Sequence, residues 1–346
     1  MMTFRGGRLK NFPVPGGSVW LMTDISRSQG KQDLYTKQSP QALRALREMA
    51  LIQSAESSNR IEGVTIDPAR LKPLIIGHAR PKDRSEEEVQ GYRKALSLIH
   101  TNHHELTILP DLFKKLHKII QEGAGDAGQW KKVENEIIEI RPGRTPVVRF
   151  RPVSVKETPG AMEELTLSYR HALDQDHVPP LLAIAALVFD FLCIHPFRDG
   201  NGRVARLIAL LALYHHGIEV GRYISLERLV EESKEDYYRV LQESSKDWHQ
   251  GGHDIVPWLN YFLSIVRRAY LEFEDRAGKV KNARGAKTAL IEDAIDGFAG
   301  KFTLSDLEKA CPGVSRDMVR LVLKKLQKTG KVKCLGKGPG TQWKKR

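Results

Sequence analysis

Two segments, 178–194 (VPPLLAIAALVFDFLCI) and 204–217 (VARLIALLALYHHG), are apolar on nearly every side of a helix, and a helix of that kind has to be buried on several faces at once. Two of them in succession, one short loop apart, demand a mainly α-helical fold built around the pair. The rest of the chain supplies the cover. Segments 41–63, 86–100, 109–123, 155–173, 233–245 and 256–276 carry apolar residues at helical spacing. In the first of them Leu43, Leu46, Met49, Ile52 and Ala55 recur every three residues, and the pattern ends at Gly63, a usual helix stop. One stretch breaks the period. Residues 134–153, ENEIIEIRPGRTPVVRFRPV, have short β-branched runs on either side of Pro142 and Gly143, which reads as a β-hairpin standing off the core as a flap.

At 346 residues the chain is too long for one ordinary core, and its charge shows where it divides. Of a net +13, residues 281–346 hold sixteen Lys and Arg against six Asp and Glu, or +10, which leaves +3 for everything before. The polar segment 277–287 reads as a linker into a second unit, 288–346. There three short helices (288–298, 303–311 and 315–330) precede two strands about a Gly/Pro turn, the order of a winged helix. Its basic residues, Arg316, Arg320, Lys324 and Lys325 on the third helix and Lys337 in the wing, suit duplex DNA; a protein partner is the alternative. Cys193, Cys311 and Cys334 have no metal-ligand spacing and do not suggest a disulfide scaffold, so a reducing, cytoplasmic setting is expected. No apolar run approaches the roughly 20 residues that span a bilayer. The opening MMTFRGGRLKNFPVPGG lacks the apolar core of a signal peptide, and no membrane partner is expected.

The loop between the two apolar helices, with the turn that follows it, reads IHPFRDGNGRVAR, residues 194–206. Gly200, Asn201 and Gly202 stand at the start of the second helix, where free N–H groups and the helix dipole bind phosphate. Arg203 and Arg206 are three apart and so share a helical face, and a guanidinium forks well onto phosphate oxygens. Together they suit a polyphosphate. Asp199 is placed to hold a Mg2+ that bridges such phosphates. His195 is the one group there that titrates near neutrality, hence the natural general base, and Phe197 should point inward as an anchor for the loop.

HPFRDGNGRVAR resembles the signature of the Fic family, HxFx[D/E]GNGRxxR, at every defined position. The flanking helices, the hairpin and LPDLFKKLHKII upstream are similar to that family's core over about 100–270. The resemblance implies an N-terminal helical region (1–99), a helical catalytic core (100–276) and the transfer of AMP from ATP, with Mg2+, to a Ser, Thr or Tyr hydroxyl of a protein, the chain itself included. It makes His195 the general base, Asp199 the Mg2+ ligand, Gly200, Asn201 and Gly202 the anion hole, and Arg203 and Arg206 the clamps of the β- and γ-phosphates. The hairpin resembles the family's flap, which takes the target segment by strand addition. YYRVL (237–241) resembles the adenine-side helix, with Tyr238 and Leu241 on the base; where the family often has Asn four residues later, this chain has Ser245.

SSNRIEG (57–63) resembles the family's inhibitory motif, [S/T]xxxE[G/N], with Ser58, Glu62 and Gly63 at the defined positions. That implies an N-terminal inhibitory helix whose Glu62 pairs with Arg206. Two rival functions remain: removal of AMP from a modified protein, with Glu62 orienting a water, and a nucleotide-sensing, DNA-binding transcription regulator. The sequence specifies a protein substrate only as a class and is compatible with a homo-oligomer. Elsewhere, HTNHHE (100–105) brings His100, His103 and His104 together, which fits a capped helix end better than a metal site. His215 and His216 should meet the terminal carbonyls of their own helix.

Overall fold

The computed structural model describes every residue except 1, 37–39, 78, 140–146, 282–285, 299, 312–313, 337, 339–340 and 346. In chain order the first helices are α1 (Gly16–Thr36), α2 (Pro40–Ile61), α3 (Pro68–Ile75), α4 (Arg84–Asn102) and α5 (Pro110–Ile120). Strands β1 (Ile137–Glu139) and β2 (Val147–Phe150) follow, then α6 (Thr158–Asp174), α7 (Pro180–Ile194), α8 (Asn201–His215), α9 (Leu226–Glu232), α10 (Lys234–Ser245) and α11 (Val256–Lys281). The C-terminal unit holds α12 (Ala286–Asp296), β3 (Lys301–Thr303), α13 (Leu304–Ala310), α14 (Arg316–Lys328), β4 (Val332–Cys334) and β5 (Gln342–Lys345). The fold is mainly α, as the sequence demands, with a small hairpin and a small separate sheet.

Helices α7 and α8 are the buried axis. Every residue of α7 from Leu181 to Ile194 is buried, and α8 is covered along nearly its whole length. Rings lock α7 to its neighbours: Phe191 meets Phe113 of α5 at 5.0 Å between centroids, and Trp258 of α11 donates to the Ala185 carbonyl at 2.8 Å. Each large apolar side chain so buried contributes about 1.5–3 kcal/mol. Helices α4 and α5 approach so closely that a Cβ at Gly91 would lie 2.6 Å from the Ile119 carbonyl oxygen, so the crossing requires glycine.

Helix α2 lays Leu43, Leu46, Ala50 and Ala55 into the core and ends in a Schellman turn. The Val64 and Gly63 amides bond back to the Asn59 and Arg60 carbonyls, each at 3.0 Å, and Gly63 adopts φ +84°, a conformation that only glycine takes cheaply. This turn fixes where Glu62 leaves the helix.

Three helices were not legible in the sequence: α1, α3 and α9. The first has a weak apolar period and an internal Gly30, and it is held instead by partners on α11 and beyond. Ser18 donates to Asn260 at 2.6 Å, Asp24 pairs with Arg267 at 2.5 Å, and Ile25 is fully buried. Tertiary contact overrides weak propensity here. In the C-terminal unit the sheet order is β3-β5-β4, antiparallel throughout, on a core of its own that includes Ile291, Phe302, Leu307 and Leu323. The strand β3 was not anticipated. Helix α11 also runs on through Lys281, into the segment read as a linker. The hairpin apex with Pro142 and Gly143, and Lys337, lie outside the described residues.

Candidate active site

The apolar helix α7 ends at His195, whose backbone is left-handed (φ 51°, ψ 60°) while its N–H still closes onto the Phe191 carbonyl at 2.9 Å. The chain then turns through Pro196 and Phe197 into α8, which begins at Asn201, earlier than the spacing suggested, so Asn201 and Gly202 belong to its first turn. Gly200 caps it at φ +77°. That left-handed backbone favours glycine, and a Cβ there would also crowd Gln121 Nε2 at 3.2 Å. Asn201 braces the loop: its Oδ1 accepts from the Phe197 amide at 2.9 Å and its Nδ2 donates to the Phe197 carbonyl at 2.8 Å. Phe197 is fully buried, as expected. The amides of Asn201, Gly202 and Arg203 have no acceptor among the described residues and are the free donors of a helix N-terminus.

His117 of α5 is a supporting residue that sequence reading missed. Its ring stacks on Phe197 at 3.9 Å and 3°. The Gly128 amide donates to its Nδ1 at 2.9 Å, which leaves Nε2–H to donate to the Asp199 carbonyl at 3.1 Å. Burial lowers its pKa to about 4, so it stays neutral and keeps that tautomer. The signal was available: His117 falls four residues after Phe113 in an otherwise apolar stripe.

His195 itself is half-buried, and its Nδ1 lies 3.3 Å from the Leu192 carbonyl, which leaves Nε2 free to accept a proton. Desolvation lowers its pKa to about 4. The expectation of a group titrating near neutrality is corrected: the imidazole is neutral throughout the physiological range, the form a base needs. Asp199 is largely exposed, at 72% of its side chain. One oxygen accepts from the Gly200 amide at 2.6 Å and the other lies 3.5 Å from Arg203 Nη2. An oxygen ligand facing solvent at a helix N-terminus fits a Mg2+ that keeps most of its water and adds phosphate oxygens.

The two arginines are both buried, and each has its own acid. Arg203, 1% exposed, bonds to Glu88 of α4 and, at 3.2 Å, to Asn59 of α2. Glu88 was also missed, though a glutamate in register with Tyr92 and Ile99 of α4 marks a charge on a buried stripe. Arg206 donates from Nε to the Ser58 hydroxyl and from Nη2 to the Ser58 carbonyl, each at 2.9 Å, and to Glu62 Oε1 at 2.8 Å. Burial alone would lower the Arg206 pKa, and the Glu62 carboxylate reverses that and raises it. Glu62 also lies hard against Gly202, where an added Cβ would collide with its carboxylate. An acid from α2 therefore stands over the first turn of α8. Ser58 and Glu62 thus both reach Arg206, and Gly63 forms the turn that ends α2.

Beside these groups opens a cleft of about 290 Å³, lined by Glu62, His195, Gly202, Tyr238, Leu241 and Ser245 among others, with Ile137 and Phe150 of the hairpin on its rim. Tyr238 donates to the Ile61 carbonyl at 3.4 Å, and Arg149 of β2 to the Tyr238 carbonyl. The hairpin pairs Ile138 with Val148 and Glu139 with Val147. Ile138 is 50% and Val147 62% exposed, so an apolar strand surface stands uncovered beside the cleft. A second cleft, about 310 Å³ between α2, α3 and the C-terminal unit, holds none of the motif residues.

The histidine cluster is no metal site. Arg222 reaches into it, donating to the His100 carbonyl at 2.6 Å and lying 3.0 Å from His103 Nδ1, where a cation would be repelled. Among the described residues no three or more His, Cys, Asp or Glu side chains come together as a set of metal ligands. His215 Nε2 bonds to the His103 carbonyl at 2.9 Å, the end of α4 and not of its own helix.

The helical core brings together a glycine-capped helix N-terminus, a neutral histidine and two buried arginines. Residues 106–213 match the Fic/DOC family. It is similar to the protein adenylyltransferase fic-1 of Caenorhabditis briggsae, 24% identical over 235 residues, or 65% of this chain and 41% of that protein. Among solved structures it is similar to a Fic family protein from Desulfovibrio desulfuricans (TM-score 0.61, 21% identity, 97% of both chains). It is also similar to a Fic domain containing signaling protein from Bacteroides thetaiotaomicron (TM-score 0.59, 23% identity, 76% of this chain and 98% of that one). The chain spans less than half the length of the curated relatives it matches.

Proposed function

We propose that this protein transfers AMP from ATP to a hydroxyl of a protein, itself included, and that α2 holds the reaction in check. The contact of Glu62 with both Arg206 and Gly202 carries this reading: an intramolecular carboxylate stands where a phosphate would bind. Triphosphate entering with its β- and γ-phosphates toward α8 meets the amides of Gly202 and Arg203 and, once Glu62 withdraws, the Arg206 fork. Arg203, held by Glu88, serves the same end from one turn earlier. The base and ribose lie in the cleft toward Tyr238 and Leu241. His195 Nε2 takes the proton of the target hydroxyl as its oxygen bonds to the α-phosphorus. The bond to the bridging oxygen breaks in line, and pyrophosphate leaves with the electron pair. Asp199 would hold Mg2+, which supplies positive charge against the phosphates. The free edge and exposed apolar side chains of the hairpin suit an extended target segment added as a strand.

With Glu62 on Arg206, the γ-phosphate loses its partner and meets a carboxylate, which turns the α-phosphorus out of line. A misplacement of that kind costs about 10²-fold in rate. Glu62→Gly should raise incorporation of labelled AMP into the protein by about that factor, and adding Arg206→Ala should remove the gain. An unchanged rate in Glu62→Gly overturns the inhibitory reading. A lower rate, together with failure to release AMP from pre-modified protein, favours the rival in which Glu62 orients a water for AMP removal.

We read residues 288–346 as a winged helix that docks duplex DNA along α14. Arg316, Arg320, Lys324 and Lys325 stay exposed on that helix and support the reading, as does the charge excess of the tail.

A further inference from the structure

The segment between α5 and the hairpin is tied to the His195 loop by three hydrogen bonds to three backbone carbonyls. The Lys131 amide donates to the Pro196 carbonyl at 2.8 Å, Lys131 Nζ to the Ile194 carbonyl at 3.4 Å, and Asn135 Nδ2 to the Phe197 carbonyl at 3.2 Å. Lys131 Nζ also bonds to Asn135 Oδ1 at 2.9 Å, which closes the strap on itself. A buried lysine is costly unless its charge is used, and this one, 4% exposed, has Glu134 as the acid that acts on it among the described residues. The carbonyls it grips flank the one non-glycine residue of the loop with a left-handed backbone, His195. Such a conformation is unfavourable for a side chain with a Cβ and persists only where its surroundings hold it.

The geometry points to Lys131 as the positioning residue of His195: its ammonium and amide clamp the carbonyls on either side of the histidine and hold Nε2 in the line of attack. The inference rests on the AMP-transfer reading for its kinetic consequence, and on contacts alone for its structural one. The charge acts in the same sense. His195 is faced by Lys131 from the strap, Glu62 from the end of α2 and Asp199 from its own loop; the two carboxylates favour the imidazolium and Lys131 opposes them. Burial lowers the Lys131 pKa to about 8 and that of His195 to about 4, so between those values the ammonium is present and the imidazole is neutral.

The test compares Lys131→Met, which keeps the length and removes the charge, with Lys131→Gln, which keeps a donor, and Lys131→Arg, which keeps the charge. All are made in the full chain carrying Glu62→Gly. Lys131→Met should lower kcat about 10²-fold with less than about a threefold change in KM for ATP, a change only in the chemical step. It should also move the acid limb of the pH profile upward. Lys131→Arg should restore most of the rate, and Lys131→Gln should restore rate without restoring the limb. Independently of activity, the histidine carbon resonance that disappears in His195→Ala should titrate at higher pH in Lys131→Met than in the parent. If the parent transfers no AMP but that titration shifts, the reaction assigned above fails and the positioning role stands. If the titration is unmoved, or Lys131→Met changes KM and kcat alike, the positioning role fails. Should Lys131→Met not fold, the Gln and Arg variants carry the same two readouts.

Discussion

Helices α8 and α14 both open with two cationic residues about one turn apart, Arg203 and Arg206 on the first, Arg316 and Arg320 on the second. Their surroundings could hardly differ more. On α8 the guanidiniums are buried and bound by acids that lie 115 and 144 residues away in sequence, Glu88 and Glu62. On α14 they are exposed and meet local acids loosely, Arg316 with Glu308 at 3.3 Å and Arg320 with Asp317 at 3.4 Å. A buried pair has little water to screen it, and removing one partner leaves an uncompensated charge at a cost of about 3–5 kcal/mol. An exposed pair contributes about 0–1 kcal/mol and fades with salt. The same residue type therefore makes a two-position lock on α8 and a diffuse positive field on α14.

The largest expected effect lies at the buried end. In the Glu62→Gly chain, His195→Ala should lower AMP transfer by about 10²–10⁴-fold, the usual worth of a general base. ATP affinity by calorimetry should change little, because the base acts on the incoming hydroxyl and touches no phosphate. Transfer at the parent rate would place the base elsewhere.

Acid should separate the two regions further. All twelve histidines precede residue 254, so the C-terminal unit has none. Burial lowers His117, His195 and His253 to about 4 and His100 to about 3. A lowered pKa in the folded state means stability that is present above the unfolded value of about 6.5 and lost as pH falls toward 4. His117, almost fully buried, accounts for on the order of 3 kcal/mol of that loss. Asp190, whose carboxyl burial pushes up to about 7, and Glu56, also raised by burial, work the other way, against these four and against His103 and His216, which burial lowers too. Calorimetry between pH 7 and 4.5 should show the helical region before the C-terminal unit melting progressively lower while that unit barely moves. Parallel shifts in both would mean that the histidines are not what couples stability to pH.

What could be read from the sequence follows the same division. The axis of α7 and α8 was legible because an all-apolar helix has one possible place, and the loop between them because its chemistry is packed into consecutive residues. Glu62 was found through a short motif, and its pairing with Arg206 is present at 2.8 Å. Glu88, His117 and Lys131 were missed because each acts across the fold on a residue far away in sequence, and nothing adjacent in the chain declares the partner. Only a polar residue in an apolar stripe hinted at the first two. Helix α1 was missed for a related reason, since its stability comes from α11 and not from its own period.

The smallest expected effect is at α14. Arg320 and Lys324 are exposed one turn apart, beside Leu321, which is 63% exposed. Replacing both cations with alanine in the full chain should alter the melting of the C-terminal unit by no more than about 0.5 kcal/mol, because surface substitutions away from caps and cores rarely do more. Their value, if α14 docks duplex DNA, lies in neutralising phosphates. Each phosphate left without its cation should then reduce the slope of log affinity against log salt by about one, with affinity falling alike on unrelated sequences. Fluorescence anisotropy at several salt concentrations reads both quantities. A parent that binds no duplex, or a variant whose salt slope is unchanged, would remove DNA from the account of α14. The exposed Leu321 amid the cations would then direct attention to an acidic protein surface with an apolar centre, for which Leu321→Ala should weaken binding more than either cation does.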